Sequence, residues 1–187
     1  KFTNSTYSFN TAVGFDTGFQ VTTGTQNTLV WGLAGDALTT GTDNVAIGYA
    51  ALSAEDAHGL NVAIGSQALR VQNAGANAYN IGIGYNAGGA ISTGVNNTFV
   101  GGLAGDALTE ADHNVAVGYE SLSADSGGTS TAVGSYALKV NTGYDNTAVG
   151  YNAGVNVTSG HNNICIGHEP VINLELPEQR PSDKLNS

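Results

Sequence analysis

"NVAIG" occupies Asn44–Gly48 and returns, letter for letter, at Asn61–Gly65. In both copies the second and fourth residues are β-branched and the third is alanine, a period of two that marks a strand whose faces meet different surroundings. The glycine that follows ends the strand at a corner. The asparagine ahead suits the opposite corner, where its amide can bond backbone groups or the asparagine stacked above it. The same phrase starts at Asn10, Asn114 and Asn146, with close variants at Asn27, Asn80, Asn97, Ser130 and Asn163. Successive starts lie 17, 17, 17, 19, 17, 17, 16, 16 and 17 residues apart, an interval too short for a helix pair and right for one coil of a β-solenoid. The predicted fold is all-β: a parallel β-solenoid, or β-roll, of about ten coils of 16–19 residues. At about 4.8 Å of rise per coil it forms a rod of roughly 45–50 Å.

A longer period overlies the first. With the leading Asn counted as position one, position six reads Phe15, Gly32, Tyr49, Ser66, Tyr85, Gly102, Tyr119, Ser135 and Tyr151, then His168. Large alternates with small, which predicts interdigitation of the rings between coils. Position nine reads Gly, Gly, Leu, Leu and then repeats, and position ten sets Asp36 in register with Asp106 and Arg70 with Lys139. The unit is thus a four-coil module present twice, which is why "NTLVWGLAGDALT" (27–39) and "NTFVGGLAGDALT" (97–109) nearly coincide. They differ most at position five, where nine coils have Gly and one has Trp31, the only tryptophan. So regular a glycine implies positive φ or close approach of another backbone. Trp31 then requires an ordinary backbone or a site that opens outward.

The repeat divides the 187-residue chain into 1–9, a degraded repeat or N-terminal cap; 10–167, the solenoid; and 168–187, a C-terminal extension or linker holding all three prolines. With no methionine, the chain reads as a fragment or processed product. Its coils enclose little volume and their inward residues are expected to be mainly Ala, Val, Ile and Gly. Thin coils gain stability by packing around an axis, so a homotrimer is predicted.

Composition narrows the partners. The formal net charge is -10, and the five basic residues, Lys1, Arg70, Lys139, Arg180 and Lys184, are spread out, so no nucleic-acid partner is predicted. No run of roughly 18 apolar residues is present, so no membrane insertion is predicted. The lone Cys165 replaces the Ala of other coils and reads as a small core residue.

Catalytic and metal chemistry find no support in the spacing. Asp43 would have Gln26 and Leu60 beside it on adjacent coils, and Asp145 would have Thr129 and Asn162, so carboxylates do not gather at that corner. His58, His113, His161 and His168 are scattered, with no Cys or second His at a zinc spacing and no Ser-His-acid set. Asp112 beside His113 reads as a solvated turn. The prediction is a non-enzyme with no cofactor. An ice-binding solenoid is the alternative of another class; it would need a Thr-x-Thr ladder in one register, which Thr22, Thr23, Thr39, Thr40 and Thr93 do not keep.

The phrases "NVAIGYAAL" (44–52), "NTAVGYNAG" (146–154) and "GGLAGDALT" (101–109) resemble the repeats of trimeric phage tail fibre proteins. "NVAIG" is also similar to the head repeats of trimeric autotransporter adhesins, which form a left-handed parallel β-roll. The resemblance spans about residues 10–167. "PSDKLNS" (181–187) is faintly similar to the start of the self-cleaving chaperone domain of many tail fibres. That family has a Lys five residues after its Ser-Asp where this chain has Ser187, so no catalytic residue is carried over. The resemblance implies a structural and adhesive segment of a virion tail fibre that holds a host-receptor surface, with a bacterial cell-surface adhesin head as the alternative. Candidate ligand-binding residues are Trp31 and the aromatic row Phe15, Tyr49, Tyr85, Tyr119 and Tyr151, spaced two coils or roughly 9.6 Å apart, near a disaccharide repeat. The competing reading of the row is packing at a trimer interface.

Overall fold

The computed structural model describes residues 7–169, and the expectations placed on residues 1–6 and 170–187 lie outside it. Ten three-residue strands form one parallel sheet in chain order: β1 (Thr11–Val13), β2 (Thr28–Val30), β3 (Val45–Ile47), β4 (Val62–Ile64), β5 (Ile81–Ile83), β6 (Thr98–Val100), β7 (Val115–Val117), β8 (Thr131–Val133), β9 (Thr147–Val149) and β10 (Ile164–Ile166). Each strand pairs with its successor in the register the repeat sets, so Val45 lies beside Val62 and Ile47 beside Ile64. Among the described residues there is no helix. The chain is a β-solenoid.

The asparagines link the coils. The Asn61 main-chain N–H donates to Asn44 Oδ1 at 3.1 Å, Asn97 to Asn80 Oδ1 at 2.8 Å and Asn114 to Asn97 Oδ1 at 2.9 Å. Ser130 interrupts the ladder without breaking it: its N–H donates to Asn114 Oδ1 and its hydroxyl accepts from the Asn146 N–H. The other end of each amide closes its own coil, as where Asn27 Nδ2 donates to the Gly41 carbonyl at 2.8 Å and Asn97 Nδ2 to the Ala111 carbonyl at 2.8 Å. One side chain therefore satisfies buried backbone groups on two coils.

The interior differs from the expected Ala, Val, Ile and Gly. The β-branched residues at positions two and four face outward and are mostly half-buried, while position three faces in. The core is Ala at positions three and eight, supplemented by leucines. Positions nine and twelve compensate for each other. Where position nine is Gly18, Gly35, Gly88, Gly105 or Gly154, position twelve is a buried aliphatic residue: Val21, Leu38, Ile91, Leu108 and Val157. Where position nine is the buried Leu52, Leu69 or Leu138, position twelve is a buried polar residue, Glu55, Gln72 and Asn141, whereas beside the buried Leu122 it is the exposed Asp125. The larger position-three residues fit the glycine coils, since a Cβ on Gly35 would come within 2.9 Å of Leu29 and one on Gly105 within 2.4 Å of Phe99. Cys165 is buried at position three, as its replacement of Ala predicts, and desolvation raises its thiol pKa.

The corners use more left-handed backbone than the glycines announce. Position seven has positive φ in every described coil, from Asp16 at 51° to Glu169 at 44°, and so does the residue before each leading Asn or Ser, such as Leu60 at 66°. Position nine does too, whether it is Gly35 at 55° or Leu52 at 52°. At position five both reasons for glycine hold at once. Gly101 has φ 134°, and a Cβ there would sit 2.5 Å from the Gly118 carbonyl oxygen on the next coil.

Candidate functional site

Two outward features run along the rod. The first is the sheet face, where position four is Val or Ile in all ten strands, from Val13 to Ile166. Position two beside it is Thr, Val or Ile, so the face has no formal charge over its whole length. Among the described residues nothing fully covers it, and Ile83, Val149, Ile164 and Ile166 are among the exposed hydrophobic residues.

The second feature is the aromatic row at the strand's glycine corner. Phe15, Tyr49, Tyr85, Tyr119 and Tyr151 are 45–77% exposed in the single chain. The expected interdigitation is looser than the alternation suggests. Tyr119 lies over Gly102, but a Cβ added at Gly102 would meet its ring at an ordinary 3.6 Å. Small residues at position six are therefore compatible with the rings but are not enforced by crowding.

Trp31 stands beside the row, at position five of the second coil, and breaks the rule of that glycine column. It is 66% exposed with φ 93°, so of the two alternatives the site opens outward and the backbone is not ordinary. Its column otherwise runs at 115–143° in glycines that can tolerate it. The indole has moved the backbone partway toward the left-handed well without leaving positive φ. The N–H stays bonded to the Val13 carbonyl and the carbonyl accepts from Thr17 Oγ1, so the coil pairing holds it there. A non-glycine residue in this region costs about 1–3 kcal/mol. Among the described residues no aromatic ring stacks on Trp31, and its exposure shows that core burial does not offset that cost.

The far end of the row holds a cluster that the alternation of position six concealed. Tyr136 stands at position seven and bridges the two-coil gap, edge-on to Tyr119 at 5.6 Å and to Tyr151 at 5.9 Å. His168 stacks on Tyr151 at 5.3 Å and 17°. Lys139 Nζ lies 4.9 Å from the Tyr136 ring centroid and forms an ion pair with Glu120. Hydrogen bonds from Lys139 and then Tyr119 lower the Glu120 pKa, and the same contacts raise those of Tyr119 and Lys139. The first module lacks this cluster, having Ala50, Gln67 and Arg70 where the second has Glu120, Tyr136 and Lys139. The signal that could have found it is this difference between modules. Chemically, the cluster offers flat ring faces and edges beside a fixed carboxylate and ammonium, which suits contact with the faces and hydroxyls of a polar ligand.

Several of the remaining candidates are explained by the fold. His161 stacks on Tyr144 at 4.9 Å, and His113 is an exposed corner residue with φ 59°. The hydroxyls of Thr22, Thr39 and Thr142 donate to carbonyls one coil away, which ties them to the fold rather than leaving them free for ordered water. No helix of the described residues is long and apolar enough to cross a membrane. No protein-family model, curated protein or solved structure matches the chain.

Proposed function

We propose that this chain is a rigid adhesive segment, a homotrimeric fibre piece that presents an aromatic strip to glycans on a host surface, as in a virion tail fibre. The observation that carries the reading is Trp31: an exposed indole retained on a strained backbone where nine equivalent residues are glycine. Strain kept without a packing return is the mark of a side chain selected for what it touches. The exposed row beside it, ending in the Tyr119–Tyr136–Tyr151 cluster, supports a long ligand lying along the rod. Sugar rings present C–H faces that stack on such rings. A bacterial surface adhesin would use the same parts, and the choice between the two rests on the resemblance of the repeats.

Replacing Trp31 with Gly should separate binding from folding. The variant is expected to unfold at an equal or higher temperature, with about 1 kcal/mol gained from relieved strain, while glycan binding falls at least about tenfold. A destabilised variant would make Trp31 a packing residue, and a stable variant with unchanged glycan-array binding would remove it from the site.

The uncharged aliphatic stripe is the surface that supports trimerisation, because three such stripes meeting on an axis would bury the face a single chain leaves half-open. Light scattering should give three times the 18.9 kDa chain mass. The double change Val100→Asp with Val117→Asp, two outward residues on adjacent strands, should reduce it to the chain mass with the circular dichroism spectrum kept. A wild-type monomer would sink the trimer.

A further inference from the structure

Away from the aromatic row, the coil led by Asn44 carries a corner that no other described coil repeats. Glu55 stands at position twelve, where the glycine coils bury an aliphatic residue, and it is fully buried. Its Oε1 accepts from the His58 main-chain N–H at 3.0 Å, but its Oε2 has no partner. His58 Nδ1 is buried as well, lies 3.6 Å from Glu55 Oε1, and also lacks a hydrogen bond. Asp56 completes the group: one ligand atom from each of the three residues lies within 4.8 Å of the others. The surrounding backbone is held from two sides, since Thr39 and Thr40 donate to the Asp56 carbonyl and Asn44 Nδ2 to the His58 carbonyl.

We propose that Glu55, Asp56 and His58 form a site for one divalent transition-metal ion of the zinc type. Two carboxylate oxygens and an imidazole nitrogen are a borderline set that suits Zn²⁺, Co²⁺ or Ni²⁺ better than Ca²⁺, which takes oxygen ligands. Ligand atoms about 2.0–2.2 Å from a tetrahedral ion stand roughly 3.3–3.6 Å apart, and His58 Nδ1 lies 3.6 Å from Oε1 of the carboxylate whose other oxygen, Oε2, is the orphaned one. Asp56 is exposed, and a carboxylate oxygen of it already lies within 4.8 Å of the pair. Bound there, the ion would engage the two orphaned atoms and clamp this corner where the regular 17-residue coil meets the 19-residue one. These ligands share one turn, where neither carboxylates adjoining across coils nor paired His or Cys give a sequence signal. The second module has Asp125, Ser126 and Gly128 in the corresponding turn and serves as an internal control.

The test is titration of the metal-free chain with Co²⁺ at neutral pH, read by its visible d–d absorption, and with Zn²⁺, read by thermal unfolding. One Co²⁺ per chain is expected, and Zn²⁺ at a hundredfold excess over its Kd should raise Tm by about 5–10 °C. His58→Gln and Glu55→Gln should each weaken binding at least about 100-fold, whereas Asp125→Asn should leave it unchanged. Glu55→Gln should leave the metal-free fold intact, because the amide oxygen can still accept from the His58 main-chain N–H. Gln72 shows that a glutamine is accommodated at this position one coil later. Absence of Co²⁺ absorption together with an unmoved Tm would overturn the site. Binding that survives both His58→Gln and Glu55→Gln would overturn it equally.

Discussion

Gly101→Ala is expected to destabilise the rod by about 2–4 kcal/mol, lowering Tm by roughly 5–15 °C, while Gly102→Ala one residue later changes stability by less than about 1 kcal/mol, in the stabilising direction if at all. The two substitutions add the same methyl group to neighbouring glycines of one coil, so the comparison isolates the environment. At Gly101 the backbone has φ 134°, and the new Cβ would lie 2.5 Å from the Gly118 carbonyl oxygen and 2.7 Å from its carbon. Neither atom can give way without disturbing the contact between coils, and Gly101 itself donates to the Ile83 carbonyl at 2.8 Å. At Gly102 the nearest atom is Tyr119 Cδ2 at 3.6 Å, an ordinary contact with an exposed ring. Trp31 shows what the column does with a side chain: it rotates to φ 93° and pays backbone strain without expelling the coil. That precedent is why the expected loss is a few kcal/mol rather than complete unfolding. Thermal melts of the two variants side by side would decide it, and equal effects would show that close approach between coils does not govern position five.

The architecture was readable because the repeat states it in residues whose roles are local. Each Asn-x-Ala-Val/Ile-Gly phrase fixes a corner, an inward alanine and a strand end, and the spacing of phrases fixes which strands become neighbours. Less was readable where the chain balances one position against another. The interior departs from expectation because Val45 and Ile47 have the residue types of a core, yet alternation around the inward Ala46 turns both outward. The exchange between positions nine and twelve, with Leu52 above a buried Glu55 and Gly35 beside a buried Leu38, appears only when two columns are compared for volume. The left-handed corners at Leu60 or Glu120 had no signal, since neither residue type prefers that conformation and only coil closure imposes it. Of the candidate site, Trp31 and the position-six row stood out as departures from, or regularities of, the period. Tyr136 did not, because it sits one residue out of register and reaches its neighbours through space.

Asn97→Leu is expected to cost about 3–6 kcal/mol, the largest loss of any substitution proposed, although leucine is apolar and the site is fully buried. Asn97 Oδ1 accepts from the Asn114 main-chain N–H at 2.9 Å and from Asn114 Nδ2 at 3.1 Å. Its Nδ2 donates to the Ala111 carbonyl at 2.8 Å and to Asn80 Oδ1 at 3.2 Å. Leucine removes every one of these bonds and leaves the Asn114 N–H and the Ala111 carbonyl buried without them. Unpaired buried groups cost about 1–3 kcal/mol each, more than the added apolar surface returns. Asn97→Ser should recover roughly half of the loss, because Ser130 already fills this column and its hydroxyl accepts from the Asn146 N–H at 3.3 Å. Urea unfolding gives the totals, and amide exchange at Asn114 reports whether the fault is local. A loss below about 1 kcal/mol for the leucine variant would mean that strand pairing alone holds adjacent coils together. The expected order, wild type above serine above leucine, would instead place the join between coils in the asparagine ladder. A rod joined in that way through its interior does not depend on its surface for the join, so the outward residues of each coil are free to differ between coils, as Trp31 and Tyr136 do.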